Sequence, residues 1–229
     1  MILRALIIFI LVSFTASINI YATKSVKHHQ INYNSNSLLL PQNGIIPNSK
    51  INNNKKKVKI SFREIVWAIS HPFIALKVKR ISKQALLITD SLERNNILKD
   101  RSGGQLDAFK HAYWMASLSQ EIKAKKARRI GEIHEKVNYR SFKKGNSAQD
   151  STASRMDILN NNAGINLGIN NKEISKSNLI ALIIKAVKIG KLYRIKKDEQ
   201  GNYLDDNNNI IDLSIEKAWN KRKVLVRSS

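Results

Sequence analysis

From Ser61 onwards, apolar residues recur mostly at intervals of three or four, the spacing of one buried helix face. The His71-Pro72 pair breaks or restarts the first pattern, because proline disrupts a helix interior. A second break falls at 100–104, where Asp, Ser and two Gly residues are typical of a turn. Further helical patterns cover about 125–139, 155–164 and 177–190. The sequence therefore predicts a mainly α, bundle-like helical domain.

The C-terminal part of the chain has shorter apolar runs. Those at 192–195 and 209–211 flank a turn-rich segment, which predicts a small β-hairpin. The Asp and Asn residues at 205–209 lack the ligand spacing of a calcium loop and predict a turn. The basic tail at 221–229 is predicted to be mobile.

The first 60 residues have a different character. An apolar run at 5–12 follows Arg4, and small residues precede Thr23, which predicts a signal peptide over 1–22 and an exported protein, whether periplasmic, secreted or envelope-associated. The alternative is an uncleaved anchor, since this stretch approaches the length of a membrane span. Residues 23–60 contain seven Lys and no acid, and they predict a disordered basic linker before a single helical domain at 61–229.

The amino-acid composition limits the kinds of functional site and partner that the protein can have. The chain has 40 Lys and Arg against 17 Asp and Glu, a formal charge of +23, and no cysteine. The missing cysteines exclude disulfides, thiolate metal sites and a cysteine nucleophile, so any metal must bind His, Asp, Glu or Asn. The positive charge indicates anionic partners such as phospholipid or nucleic acid.

Three separated motifs combine acids with histidine or asparagine. Asp107 and His111 stand four residues apart on a predicted helix, so they share one face. His134-Glu135 lies on the next predicted helix, and a tight turn near residue 122 would return this pair towards Asp107 and His111. The third motif places its polar residues on one predicted face, namely Asp157, Asn160, Asn161 and Gly164.

These three stretches resemble the core of a bacterial family of exported or toxin-associated domains of unknown function. That core is Asp-Ala-Phe-Arg-His-Ala-Tyr-Trp, then His-Glu, then Met-Asp-Leu-His-Asn-Asn and a Gly; the matching stretches here are 107–114, 134–135 and 156–164. The resemblance implies a mostly helical domain whose polar cluster is a site, and it supplies no reaction. Lys110 replaces the family's Arg, and Leu159 replaces a His whose loss would alter the site if that His is a ligand or base in relatives.

Two functions fit these motifs. In a metal-assisted hydrolase, a divalent cation would be held by Asp107, His111, His134 and Asp157, while Glu135 or His111 would act as catalytic acid or base on an anionic phosphoester or lipid. In a non-enzymatic, envelope-associated binding domain, the same side chains and Asn160 and Asn161 would form a structural hydrogen-bond network.

Overall fold

The computed structural model describes residues 62–145, 149–213, 219–220 and 222–229. The predicted signal peptide and linker lie outside these residues. The described ranges form six helices and two short strands, which confirms the mainly α class. They are α1 (Phe62–Ser70), α2 (Pro72–Arg94), α3 (Gln105–Glu121), α4 (Ala124–Lys143), α5 (Ser151–Asn170), α6 (Lys176–Lys188), β1 (Tyr193–Ile195) and β2 (Leu225–Arg227). Within the described part of the chain, no helix is long and apolar enough to cross a membrane.

The helix ends follow the predicted breaks. Pro72 opens α2, where its missing amide proton leaves no hydrogen bond unmade. After α2, the backbone turns at Asn96, Asp100 and Gly103, which all have positive φ angles and so cannot continue a helix. Asp150 caps α5, because its carboxylate accepts a hydrogen bond from a backbone amide of the first turn.

Helix α3 is the centre of the fold. It contacts α2, α4, α5 and α6, and most of its residues are buried. Phe109 and Tyr113 pack on one side with residues of α2 and α6, while Met115 and Leu118 pack on another side with residues of α2, α4 and α5. A helix enclosed in this way can hold a polar group away from bulk water, and its His111 is only 4% exposed.

Two glycines allow α3 and α5 to approach closely. A Cβ atom at Gly164 would lie 2.2 Å from the carbonyl oxygen of Ala112, and one at Gly168 would lie 2.3 Å from that of Ala116. No side chain fits at either position without movement of a backbone. The two helix backbones therefore touch directly, and this contact places α5 beside the polar residues of α3.

The two-stranded antiparallel sheet is confirmed, but the predicted pairing partner is wrong. β1 pairs with β2, with Tyr193 opposite Arg227, and does not pair with residues 209–211. In that segment Ile210 forms an isolated bridge with Leu204. The reason is local, because the Asp205 carboxylate accepts backbone hydrogen bonds within 205–209 and folds them into the predicted turn.

The predicted mobile tail is also wrong. Besides β2, this segment contains Ser228, which is fully buried and donates a hydrogen bond to the carbonyl of Val187. The ammonium of Lys223 lies 2.8 Å from the Asp150 carboxylate, and both side chains are almost completely buried. Strand pairing and a buried ion pair thus fix a segment whose composition alone is typical of a solvated tail.

Candidate metal centre

The structure brings together three ionisable side chains from α3 and α5. One ligand atom from each of Asp107, His111 and Asp157 lies within 4.8 Å of the other two. The His111 Nε2 atom is 3.2 Å from the Asp157 Oδ1 atom and 3.7 Å from the Asp107 Oδ1 atom. Two carboxylates and an imidazole at this separation can share one divalent cation.

Helix α3 fixes the first two members of the cluster. Asp107 lies in the first turn, where it accepts a hydrogen bond from the backbone amide of Gly103 and pairs with the ammonium of Lys110. His111 lies one turn further, and its Nδ1 atom is 3.3 Å from the side-chain oxygen of Asn161 on α5. A proton on Nδ1 would point at that oxygen, which leaves the Nε2 lone pair facing both carboxylates.

Asp157 carries an unsatisfied oxygen. Its Oδ2 atom accepts a hydrogen bond from Gln149, whereas its Oδ1 atom is buried and has no hydrogen bond from any described residue. The side chain is only 5% exposed. Buried carboxylate oxygens without a partner are rare in proteins, and this one faces His111 and Asp107. The three side chains therefore form an arrangement that could hold a cation.

The local electrostatics agree with this geometry. Burial, assisted by the charge of Lys110, lowers the pKa of His111 to about 3, so the imidazole is neutral at neutral pH. Burial and the nearby charges of Asp107 and Glu135 raise the pKa of Asp157 well above its usual range. Burial also tends to raise the pKa of Asp107. The nearby Lys110 and His111 have the larger, opposite effect, so the pKa of Asp107 is lowered. A cation would relieve the repulsion between the carboxylates.

Glu135 provides a third acid beside this group. It is buried on α4, and its carboxylate accepts a hydrogen bond of 2.7 Å from the hydroxyl of Ser154, in the first turn of α5. Burial raises its pKa to about 7, although the hydrogen bonds from Ser154 and Asn138 oppose the shift. A carboxylate with a pKa near neutrality is suited to accept and return a proton.

The predicted turn between α3 and α4 returns His134 to the level of the cluster. Its ring centre is 6.4 Å from that of His111, and its ring packs edge-on against Trp114. Among the described residues, however, the ligand atoms that meet within 4.8 Å come from Asp107, His111 and Asp157. The structure thus places His134 next to the predicted metal ligands and not within their group.

The polar residues of α5 do not share one face as predicted. Asn160 points to the sheet, where its side chain forms two hydrogen bonds of 2.9 Å with the backbone of Tyr193. Asp157, Asn161 and Gly164 face α3 instead. Asn160 therefore attaches β1 to α5, because asparagine can donate to a carbonyl and accept from an amide at once.

Leu159 lies away from the cluster. It follows Asp157 by two residues, which is a rotation of about 200° around an α-helix. Leu159, one of the two residues that depart from the family's pattern, thus stands on another side of α5 from Asp157 and Asn161. Sequence reasoning missed two residues that do contact the acids, Gln149 and Ser154, because both fall in a polar stretch without any distinguishing pattern.

The fold and the cluster define a mainly α-helical domain with a buried Asp–His–Asp group. The chain belongs to a family of domains of unknown function (DUF6973), whose model matches residues 65–191. This range contains the whole cluster and Glu135, and it ends before β1. No curated protein and no solved structure matches the chain. The membership agrees with the predicted uncharacterised family, while the bacterial, toxin-associated setting stays a prediction.

Proposed function

We propose that this protein is a metal-assisted hydrolase in which Asp107, His111 and Asp157 hold one divalent cation. The observation that carries the proposal is the buried Asp157 Oδ1 atom, which accepts no hydrogen bond from the part of the chain that the structure describes and lies close to the other two ligand atoms. Neutral imidazole and carboxylate oxygens are suitable ligands for zinc or manganese. Three acidic residues, Asp107, Glu135 and Asp157, would lie near the cation, in a chain that has only 17 Asp and Glu residues.

In this proposal Glu135 accepts the proton of the attacking water. A bound cation would supply a lowered water pKa and a polarised phosphoryl oxygen. Ser154 holds the Glu135 carboxylate in place, and burial gives it the basicity to accept a proton near neutral pH and to return it to the leaving group. Asn161 keeps the His111 ring oriented, which leaves Nε2 available as a ligand.

The proposed substrate is an anionic phosphoester, of a phospholipid or a nucleic acid. The formal charge of +23 favours the approach of a polyanion. Asp107 and Lys110 are less completely buried than His111 and Asp157, so a substrate would approach the cluster from their side. Export from the cytoplasm, inferred from residues 1–22, is part of the same proposal.

The second candidate is a structural hydrogen-bond network in a non-enzymatic domain. Specific contacts favour it, since Asp107 accepts the Gly103 amide, Asn161 contacts His111, and Gln149 donates to Asp157. Networks of this kind fix helix packing without a ligand. In that case Asp157 would remain protonated and the cluster would bind no cation.

Metal binding separates the two candidates. The full chain is titrated with zinc, manganese and calcium by calorimetry and by thermal unfolding. We expect one site, and a stabilisation of about 2.7 kcal/mol when the free metal is at a hundredfold excess over its Kd. Asp157→Asn should abolish this gain, whereas the exposed control Asp206→Asn should keep it. No bound metal and no stabilisation would overturn the metal site.

Hydrolysis is then tested with a variant that keeps the ligands. Glu135→Gln preserves the size of the side chain, so metal binding should persist while hydrolysis of a phosphodiester or phospholipid falls at least about a hundredfold. A Glu135→Gln protein that retains full activity would contradict the assigned role of Glu135. Metal binding without any hydrolysis by the unaltered chain would leave a metal-binding domain and overturn the enzyme.

A further inference from the structure

A group of large apolar side chains lies exposed on α1 and the beginning of α2. Phe73 is 81% exposed, Leu76 is 64% exposed and Val66 is 49% exposed, and Ile65 and Ile69 are exposed as well. Within each helix these residues are one, three or four positions apart, so each helix presents them together on one side. Contiguous exposed apolar residues of this kind mark interaction sites on soluble domains.

These residues are not displaced parts of the hydrophobic core. The opposite side of α2 buries Ile81, Ala85 and Ile88, while Ile74 and Val78 pack against the cluster that contains Met115. Helix α2 thus already has a complete core-facing stripe. The exposed apolar residues of α1 and of the beginning of α2 are separate from this stripe, and we call them together the docking face: Ile65, Val66, Ile69, Phe73 and Leu76.

Basic residues continue the docking face along α2. Lys77, Arg80 and Lys83 are exposed and follow Phe73 and Leu76 at helical spacing. Between residues 62 and 89 the chain has five basic residues and one acidic residue. Glu121 pairs with Arg80 and accepts a hydrogen bond from Lys77 through its carbonyl, which leaves the segment with a clear excess of positive charge.

We propose that the docking face binds the surface of a bilayer that contains anionic lipid. Helices that lie in a membrane interface combine Phe and Leu on one side with Lys and Arg beside them, and this is the pattern of the first half of α2, to which α1 adds Ile65, Val66 and Ile69. Phe73 and Leu76 would enter the boundary between headgroups and acyl chains, and Lys77, Arg80 and Lys83 would face the lipid phosphates. This inference does not depend on the metal site.

Because the chain contains no cysteine, an introduced cysteine can be labelled at a single known position. A single cysteine is introduced into the full chain, as Phe73→Cys or as the control Leu86→Cys, and labelled with a polarity-sensitive fluorophore. Leu86 is 50% exposed on the same helix but outside the docking face, so it is a matched position. Any binding by residues 1–22 affects both proteins equally, and only the difference between the two labels is interpreted.

Vesicles of phosphatidylcholine and phosphatidylglycerol in equal parts should shift the emission maximum of the label at position 73 to shorter wavelength. They should also raise its emission intensity at least about twofold. The label at position 86 should not respond. Vesicles of phosphatidylcholine alone, or added salt, should reduce the response at 73, because the lipid charge contributes to binding.

Three results would overturn the proposal. The first is a label at position 73 that ignores the anionic vesicles. The second is a label at 73 that is already shielded from aqueous iodide without lipid and becomes exposed on dilution, which would assign the docking face to a second copy of the chain. The third is the same shielding without any dependence on concentration, which would assign the docking face to another segment of the chain itself.

Discussion

Adding one methyl group at position 164 tests the contact between α3 and α5 on which the candidate metal centre depends. In Gly164→Ala the new Cβ atom would lie 2.2 Å from the Ala112 carbonyl oxygen and 2.8 Å from the Ala112 Cα atom. Non-bonded atoms of this kind are comfortable at about 3.5 Å, so the helices must separate locally by about 1 Å. Backbone atoms oppose the methyl group, and no rotation of a side chain can relieve the overlap.

The expected loss of stability follows from two opposing effects. Overpacking of a well-packed core costs about 1–3 kcal/mol, and a clash with backbone belongs at the upper end of this range. Alanine gains about 1 kcal/mol over glycine in a helix interior. The net loss in the free energy of unfolding is therefore about 2 kcal/mol, which corresponds to a fall of about 4–8 °C in Tm for a domain of this size.

The same displacement should weaken metal binding. Asp157 lies two turns before Gly164 on α5, and its Oδ1 atom is 3.2 Å from His111 on α3. A shift of about 1 Å between the helices would disturb this ligand geometry, and we expect metal affinity to fall at least about tenfold.

Urea unfolding and calorimetric metal titration provide the measurements. Gly131→Ala is the stability control, because its Cβ atom would meet the Asn161 side-chain amide at 3.2 Å, and a side chain can move. We expect that control to stay within about 1 kcal/mol of the unaltered protein. If Gly164→Ala were as stable as Gly131→Ala, the close approach of α3 and α5 would be refuted.

Three further predictions concern other parts of the fold. Lys223→Met leaves the buried Asp150 carboxylate without its cation, so urea unfolding should show a loss of about 3 kcal/mol, and a loss below about 1 kcal/mol would contradict a buried ion pair. Asn160→Ala removes both hydrogen bonds to the Tyr193 backbone, so hydrogen exchange of that amide should accelerate at least about tenfold, and unchanged exchange would count against the attachment. Glu135 has a pKa of about 7 in the folded protein and an ordinary value of 4.5, so the folded state retains a proton that the unfolded state releases. In metal-free buffer the unaltered protein should therefore lose stability relative to Glu135→Gln as the pH rises from 4.5 to about 7, and parallel stability curves would exclude this linkage.

The helices and their breaks could be predicted because the information is local. Apolar spacing predicted a helix over 177–190, close to the observed α6, and Pro72 and the turn at 100–104 marked two of the boundaries. The approach of the first two motifs was also predictable, since a tight turn after α3 returns His134 towards His111. The regular repeat of the α-helix fixes which residues share one face. It also fixes how far along a neighbouring antiparallel helix a given residue lies.

The strand pairing and the division of the polar face could not be predicted in the same way. β1 has two apolar segments that follow it, and short strands choose a partner by tertiary packing more than by their own sequence. Asn160 and Asn161 are adjacent and identical, yet one binds β1 and the other contacts His111. Their roles differ because they lie 100° apart on α5, and only the positions of α3 and β1 show which neighbour each residue meets.

The C-terminal segment, residues 219–220 and 222–229, connects α4, which carries Glu135, with α5, which carries Asp157. Trp219 packs against Tyr139 and Phe142 near the end of α4, and its carbonyl accepts the backbone amide of Ser151 at the start of α5. Lys223 adds the buried ion pair with Asp150. These contacts lie beside the residues that hold Asp157 and Glu135 through hydrogen bonds, and they come from outside the range that matches the family model. The geometry of the candidate metal centre therefore depends on the C-terminal segment as well as on residues 65–191.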